Sequence, residues 1–323
     1  MFDFASHKWG RYTLTEIFNK DSGESISFFP DYGACLNQLI LKGKNGENHP
    51  LFSAHDNYES LITKGNQMFK GVKLFPYPNR VNMGTYKIYD RTYKLPINFP
   101  IEGHAIHGLV MESCFETIST KMTPQFGSIT IGYAYDKEHE GYPFKYNLEI
   151  TFTLRKHEFV CETIVKNTDT QSIPIGDGWH PYFTTGNKID ELYISIPVEM
   201  EYETNELKIP TGVTKKNPDL VHLTKLENKK FDTCFKLKEG NPLSVIKLFD
   251  PTLDQFIYIW MQSGNQKYSY VQIYTPSSRD CIAIEPMTCI PDAFNNKEGL
   301  IILEPAESRN FVWGISTINP ELS

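Results

Sequence analysis

The chain has 323 residues, a net charge of −7 and an apolar fraction of 40%. No run of Lys and Arg is long enough for a nucleic-acid patch, and no stretch approaches the roughly 18 apolar residues of a membrane span, so neither partner is expected. The first residues lack the basic and apolar segments of a secretory signal, and the six scattered cysteines show neither zinc-ligand spacing nor a disulfide framework. We therefore expect a cytoplasmic protein with reduced thiols.

Short segments rich in β-branched and aromatic residues follow one another along the chain, separated by Asn, Gly, Asp or Pro. The first of these predicted strands are residues 11–18, 24–29 and 36–41. Asp56 or Asn57 is placed to cap a short helical turn that ends at Ile62. Little else in the sequence favours a helix, so strands are expected to dominate the fold.

The second half of the chain continues this strand pattern. Apolar residues alternate with small or polar ones in 128–135, which predicts a strand with one buried face. Residues 144–167 are predicted to form a hairpin that turns near residues 156–158. Further strands are predicted at residues 243–249, 255–262, 268–275, 280–285, 299–304 and 309–316. The polar segment 205–230 is interpreted as a long connection. The sequence therefore predicts an all-β antiparallel sandwich or barrel, with residues 1–323 as a single domain.

The hexapeptide GWHPYF, residues 178–183, contains the first candidate functional group. His180 precedes Pro181, which disfavours helical backbone and predicts a strand end or an extended turn. Aromatic rings beside a polar group suit a sugar, whose C–H faces pack on rings while its hydroxyls form hydrogen bonds. Trp179 and Tyr182 would supply such rings. The alternative is a half-buried strand histidine without a functional role.

Two polar clusters precede this hexapeptide in the chain. Asn79 and Arg80 end the segment FPYPNR, whose prolines restrict the backbone and would hold the guanidinium as a fixed set of donors. An exposed turn with a surface arginine is the alternative. The segment GHAIHG contains His104 and His107. Metal binding by this pair is conceivable, but no third ligand is suggested nearby, so no metal site is predicted.

Two carboxylates follow the hexapeptide. Asp232 lies at the start of an apolar strand between two phenylalanines, where a turn or capping role is the alternative. Glu285 ends an apolar run and precedes a proline, so it lies either in solvent at a strand end or buried with a partner. Burial disfavours the charged form of a carboxylate and makes it a stronger base near neutral pH.

Together these clusters resemble the aldose 1-epimerase (galactose mutarotase) family. The family pattern is an Asn-Arg pair, a His-Gly, a His-x-Tyr-Phe, an Asp among aromatic residues, a Gln on a Q-x-Y-T strand and a C-terminal Glu. The chain presents this order as Asn79-Arg80, His107-Gly108, His180 with Tyr182-Phe183, Asp232, Gln272 and Glu285. The resemblance implies a large antiparallel β-sandwich, the galactose mutarotase-like supersandwich, with a cleft on one face. The residues before His180 and after Glu285 are typical of a divergent branch and leave the preferred sugar open.

The resemblance also implies an isomerase that interconverts the α and β anomers of a free aldohexose. Glu285 would be the base on O1, His180 the acid on the ring oxygen and His107 a second donor there, although which histidine protonates that oxygen stays open. Sugar contacts are assigned to Arg80, Asn79, Asp232, Gln272, Trp179 and Tyr182. No cofactor or metal is needed, because each proton returns to its origin. A small sugar is the expected partner, and a monomer or homodimer the expected state.

Three alternatives to this function remain. A hexose-6-phosphate 1-epimerase would share the fold; no Arg/Lys cluster for a phosphate is evident, although scattered loops can supply one. A glycoside hydrolase needs two carboxylates, for which Asp232 and Glu285 are candidates, but it leaves the two histidines and the arginine unexplained. A carbohydrate-binding protein without turnover would keep the aromatic residues and Arg80 and would have no need of both His180 and Glu285.

Overall fold

Antiparallel strands in three large sheets dominate the regular secondary structure of this computed structural model, which describes residues 1–65 and 68–322. The first sheet contains, in spatial order, β1 (Phe2–Trp9), β2 (Tyr12–Asn19), β3 (Ser25–Phe29), β4 (Cys35–Lys42) and β5 (Asn48–Pro50). The second contains β11 (Glu116–Met122), β12 (Phe126–Asp136), β13 (Lys145–Arg155), β14 (Glu158–Asn167), β28 (Ser308–Ser316), β24 (Gln255–Gln262), β23 (Leu243–Asp250), β18 (Tyr193–Ser195) and β21 (Thr224–Lys225).

The third sheet carries most of the candidate functional residues. Its order is β20 (Pro210–Lys215), β19 (Val198–Thr204), β22 (Asp232–Leu237), β25 (Tyr270–Tyr274), β26 (Ile282–Met287), β16 (Gly178–Trp179) and β6 (Lys73–Leu74), and β17 (Tyr182–Phe183) also pairs with β26. Three two-stranded ladders join β7 (Arg80–Val81) to β10 (Ala105–Ile106), β8 (Thr85–Ile88) to β9 (Arg91–Lys94), and β15 (Ile173–Ile175) to β27 (Ile301–Leu303).

Helical structure is limited to short pieces. Helix α1 (Tyr58–Ser60) begins at Asn57, whose side chain accepts the Ser60 N–H at 2.9 Å, and a π-helical turn continues over Leu61–Gly65. The predicted cap at Asn57 is therefore confirmed. Helix α2 (Ala293–Asn296) was not predicted, because four residues are too few to show a helical period. The 3₁₀ helices are Asn82–Gly84, Ile189–Glu191, Asp219–Val221 and Pro320–Leu322. Within the described residues, no helix is long and apolar enough to cross a membrane.

One apolar core joins the three sheets into a sandwich. The alternation of strand β13 is typical: its apolar side chains are buried, and the residues between them are largely accessible. Phe152 of this strand packs against Phe28 of the first sheet, with ring centroids 4.3 Å apart, and against Trp179 of the third sheet, 5.9 Å away. The nine-stranded sheet therefore forms one layer, and parts of the other two sheets cover it. The predicted all-β antiparallel sandwich is confirmed.

The predicted strands agree with the structure to within two residues, including the hairpin at 144–167. Residues 205–230, interpreted as a long connection, also contain the strands β20 and β21. Strand β20 lies at an edge of its sheet and is mostly exposed, so no apolar alternation marks it in the sequence. The six cysteines are free thiols, and five of them are buried.

A fully buried ion pair lies beneath the strands around His180. The Lys73 Nζ is 2.5 Å from Asp177 Oδ1 and 3.2 Å from Thr163 Oγ1, and it lies 4.8 Å from the Trp179 ring centroid. The Tyr268 hydroxyl donates to the other Asp177 oxygen at 2.6 Å. Both charges are thus paired, as burial of an ion requires.

Loss of one partner of this ion pair should be costly. We expect Lys73→Met to lower the free energy of unfolding by about 3–5 kcal/mol, because it leaves the Asp177 carboxylate buried and uncompensated. The double variant Lys73→Met/Asp177→Asn removes both charges and should recover part of that loss. Denaturant unfolding of the three proteins measures the difference. Equal midpoints for Lys73→Met and the wild type would contradict this account of the core.

Candidate active site

Strand register brings His180 and Glu285 together. In the ladders of β26, Gly178 lies opposite Met287 and Tyr182 lies opposite Ala283. This register places His180 opposite Glu285, at the interruption between β16 and β17. On its other side, Glu285 pairs directly with Gln272 of β25. A central strand thus holds Glu285 between an imidazole and an amide.

Backbone hydrogen bonds fix the position of His180. Its N–H donates to the Val72 carbonyl at 3.1 Å, and its carbonyl accepts from the Gly71 N–H at 2.9 Å. Gly71 has a φ of +71°, and a Cβ there would lie 1.9 Å from the Leu36 carbonyl oxygen, so glycine is required. The Tyr182 ring stacks on the imidazole at 5.0 Å. The backbone of His180 is therefore held by hydrogen bonds and its ring by stacking. The extended backbone agrees with the expectation for a residue before proline.

Asn79 and His107 hold each other in an uncommon conformation. Both have positive φ, 58° and 62°, a region in which Asn and His are among the tolerated residues. The His107 N–H donates to the Asn79 carbonyl at 2.9 Å, and the Asn79 N–H donates to His107 Nδ1 at 3.2 Å. Because Nδ1 accepts, neutral His107 carries its proton on Nε2. His107 is therefore a hydrogen-bond donor at its free nitrogen.

Arg80 is held rigidly by two neighbours. Its Nε and one terminal nitrogen donate to the two oxygens of Glu102 at 2.6 and 3.0 Å, in the two-point geometry of strong guanidinium–carboxylate pairs. The other terminal nitrogen donates to the Asn79 side-chain oxygen at 3.0 Å. Asp232 Oδ2 lies 4.0 Å from Arg80 and 3.5 Å from the Lys208 ammonium. The Gln272 amide donates to the second Asp232 oxygen at 2.9 Å.

These side chains surround one cavity of about 250 Å³. Of the predicted site residues, the cavity is lined by Asn79, Arg80, His107, His180, Tyr182, Asp232, Gln272 and Glu285. It also contains residues that the sequence analysis missed: Met68, Phe69, Phe99, Glu102, Ile106 and Tyr274. Of these, only Tyr274 could have been predicted from the sequence, because it lies two residues after Gln272 on the same face of the strand. The others lie on loops or short ladders that no period marks.

Trp179 is the exception among the predicted sugar contacts, because it does not line the cavity. Its side chain is fully buried and packs against Phe152, Trp313 and the Lys73 ammonium in the core. Successive side chains of an extended segment point to opposite faces, so Trp179 and His180 cannot both face the cavity. Trp179 contributes to the core instead.

Burial changes the proton affinities of the three central groups. Loss of hydration raises the pKa of Glu285 well above its usual range, with a smaller contribution from Asp232, while Arg80 opposes the shift. Burial lowers the pKa of His180 to about 3. The pKa of His107 is also well below its usual range, through burial and then through His180 and Arg80. His180 Nε2 lies 3.3 Å from Glu285 Oε1, so one proton can pass between the two groups without exchange with solvent.

The same three residues lie close enough together to be considered as ligands of a metal ion. One potential ligand atom from each of His107, His180 and Glu285 falls within 4.8 Å of the others. His107 fits poorly, because Nδ1 already accepts from the Asn79 N–H and Nε2 consequently carries a proton. His104, the other histidine of GHAIHG, also has both ring nitrogens engaged, with the Met83 N–H and the Leu207 carbonyl. The donor set therefore favours hydrogen bonding over coordination.

Three buried polar atoms around the cavity have no hydrogen-bond partner among the described residues. They are His180 Nδ1, Gln272 Oε1 and Glu285 Oε2. Unsatisfied buried polar atoms are rare in folded proteins and are frequent where a polar ligand binds. The antiparallel sandwich has the fold of galactose mutarotase-like proteins. The family model for aldose 1-epimerase matches residues 18–316, and the chain belongs to that family.

Individual relatives are distant. The uncharacterised protein YihR of Escherichia coli is 29% identical over 252 residues, covering 76% of this chain and 78% of YihR. Human galactose mutarotase is 23% identical over 185 residues, covering 56% of this chain and 52% of the human protein. Among solved structures, a galactose mutarotase-like protein from Clostridium acetobutylicum superposes with a TM-score of 0.85 at 20% identity, covering 97% of this chain and 98% of the other. At that identity the likeness shows the fold.

The raised pKa of Glu285 predicts a pH-dependent cost to folding. A group whose pKa is higher when folded stabilises the fold below its unfolded pKa, about 4.3, and that contribution is lost as the pH rises. Glu285→Gln does not titrate, so its melting temperature should exceed that of the wild type by an amount that grows from pH 4.5 to pH 8. Thermal unfolding across this range measures the gap. The exposed control Glu140→Gln should give no such trend, and a constant gap for Glu285→Gln would contradict the assignment.

Proposed function

We propose that the protein is an aldose 1-epimerase that interconverts the α and β anomers of a free aldohexose. The observation that carries the proposal is the His180–Glu285 pair, 3.3 Å apart and buried at the cavity. Ring opening removes a proton from O1 and delivers one to the ring oxygen. Both oxygens are bonded to the same carbon, so the groups that serve them must lie close together. The pair meets this requirement.

The shifted proton affinities suit both roles. A carboxylate with a raised pKa is a stronger base, and an imidazolium with a lowered pKa is a stronger acid. Glu285 acts on O1 in its ionised form, and His180 then holds the proton for the ring oxygen. Ionised Glu285 with protonated His180 carries the same number of protons as protonated Glu285 with neutral His180. Transfer of one proton from Glu285 to His180 therefore converts the second form into the first. His107, with its proton on Nε2, supplies a second donor.

The remaining polar residues are assigned to binding. The Arg80 guanidinium is already paired with Glu102, and the Gln272 amide does not titrate. Asp232 is already engaged by Gln272 and by Lys208. These groups, with Asn79 and the Tyr182 ring, would hold the hydroxyls and the C–H face of the sugar. Closure on the other face of the carbonyl after rotation about C1–C2 then gives the second anomer.

The protein should accelerate mutarotation without added metal or nucleotide. Fresh α-glucose and α-galactose, followed by polarimetry with a chelator present, provide the test. Acceleration of at least one free hexose is expected, because the acid and the base both come from the chain. The panel should include the corresponding hexose 6-phosphates. Absence of acceleration with every sugar would leave a binding protein, and acceleration confined to phosphosugars would support the phosphohexose alternative.

Glu285 and His180 should act as one unit. Glu285→Gln and His180→Asn are each expected to lower kcat by on the order of 10²-fold or more, and the double variant should be little worse than either. The wild type should show a bell-shaped dependence of kcat/KM on pH. Calorimetry should still detect bound sugar in both single variants. Near-normal turnover by Glu285→Gln would overturn the mechanism.

Asp232 provides the matched comparison for binding. Asp232→Asn should raise KM or lower kcat/KM through lost orientation, while the limbs of the pH–rate curve stay in place, because Asp232 transfers no proton in this scheme. Arg80 and Gln272 variants should behave in the same way. Movement of either limb in Asp232→Asn would show that this carboxylate takes part in proton transfer.

A further inference from the structure

We propose that Glu102 makes the cavity selective for uncharged aldoses by neutralising Arg80 and occupying donors that an anionic sugar would need. This inference rests on the proposed function and narrows its substrate class. Within residues 1–65 and 68–322, Arg80 is the one Arg or Lys side chain that lines the cavity. An arginine in such a place would ordinarily attract a carboxylate or a phosphate. The hydrogen-bond partners of Arg80 determine whether it can bind an anionic group in this cavity.

Three of the five Arg80 donors are already used. Glu102 accepts from Nε and from one terminal nitrogen, and Asn79 accepts from the other terminal nitrogen. One N–H therefore remains on each terminal nitrogen. The nitrogen shared with Glu102 lies 4.0 Å from Asp232 Oδ2, so a ligand that reaches it also approaches a second carboxylate. A hydroxyl tolerates this setting, and an anion is repelled by it.

The charges around the cavity cancel in pairs. Arg80 faces Glu102, and Lys208 faces Asp232 at 3.5 Å. The Arg80 side chain is 10% exposed and that of Glu102 is 23% exposed, so water screens their interaction only in part. Without displacing a carboxylate, an anionic sugar could reach only the two remaining Arg80 N–H groups, and it would gain no two-point pairing with an unpaired guanidinium. A neutral sugar meets hydrogen-bonding groups that are already oriented.

Glu102 is held in place by a folded turn rather than by a free loop. The Phe99 carbonyl accepts from the Gly103 N–H at 3.0 Å, which closes the turn around Glu102. His104, fully buried, accepts the Met83 N–H at Nδ1 and donates from Nε2 to the Leu207 carbonyl, both at 3.0 Å. His104 thus joins the turn that carries Glu102 to the turn that carries Lys208. The carboxylate is a fixed part of the cavity wall.

The test compares the wild type with Glu102→Gln, which keeps the shape of the side chain and removes its charge. Mutarotation is followed for glucose and for glucuronate and glucose 6-phosphate, and binding of each is measured by calorimetry. The wild type should prefer glucose by about tenfold or more in kcat/KM, and Glu102→Gln should reduce that preference by on the order of tenfold. Glu102→Ala should shift the preference in the same direction. The control Glu140→Gln removes an exposed charge outside the cavity and should leave it unchanged.

The outcomes separate this inference from the proposed function. Equal use of neutral and anionic sugars by the wild type, or an unchanged preference in both Glu102 variants, would overturn the role of Glu102 while leaving the mutarotase activity intact. Failure of the wild type to accelerate any sugar would overturn the proposed function. Calorimetry would then still decide the inference, because selective binding of glucose over glucuronate that weakens in Glu102→Gln supports it without turnover.

Discussion

The site depends on one break in an antiparallel ladder. Strand β26 pairs with β16 and then with β17, and His180 lies at the gap between them, opposite Glu285. Pro181 has no N–H to continue the ladder, and its ring restricts the backbone of the preceding residue. The interruption frees the imidazole to face the cavity while flanking ladder contacts hold its position. A continuous strand would pair the backbone and leave less freedom to aim the ring.

Charged groups are buried on both faces of this sheet, but with different hydrogen-bond partners. Behind it, Lys73 and Asp177 are fully buried and satisfied by each other, Thr163 and Tyr268, so the charges stabilise a single arrangement. At the cavity, Glu285 is as deeply buried but retains an oxygen without a partner. In the first arrangement each buried charge has a partner, whereas in the second burial raises the pKa of Glu285 at a cost in stability. The Lys73–Asp177 pair thus lies directly behind the strands that position the buried Glu285 carboxyl group.

The sequence was a better guide to the strands and to the candidate site residues than to the direction in which each side chain points. The predicted strands agree with the structure to within two residues, because their β-branched and aromatic residues mark them and, in 128–135, one buried face imposes a period of two. The same rule, applied to the adjacent residues Trp179 and His180, would have shown that one of them faces the core. Exposed β20 and the loop residue Glu102 left no such trace, since neither belongs to a half-buried strand. Their positions follow from tertiary contacts alone.

Charge balance connects the acid–base pair to the cavity wall. A net field in a small, partly closed cavity would favour one member of the His180–Glu285 pair, since an unpaired cation stabilises the carboxylate and an unpaired anion stabilises the imidazolium. Glu102 pairs with Arg80, and Asp232 pairs with Lys208, while Asp232 and Arg80 act on the Glu285 pKa in opposite directions. In the proposed mechanism, a bound sugar would change the balance within the pair through its own hydrogen bonds to Glu285 and His180. The same pairing of charges would then serve both the proposed acid–base pair and the inferred discrimination against anionic sugars.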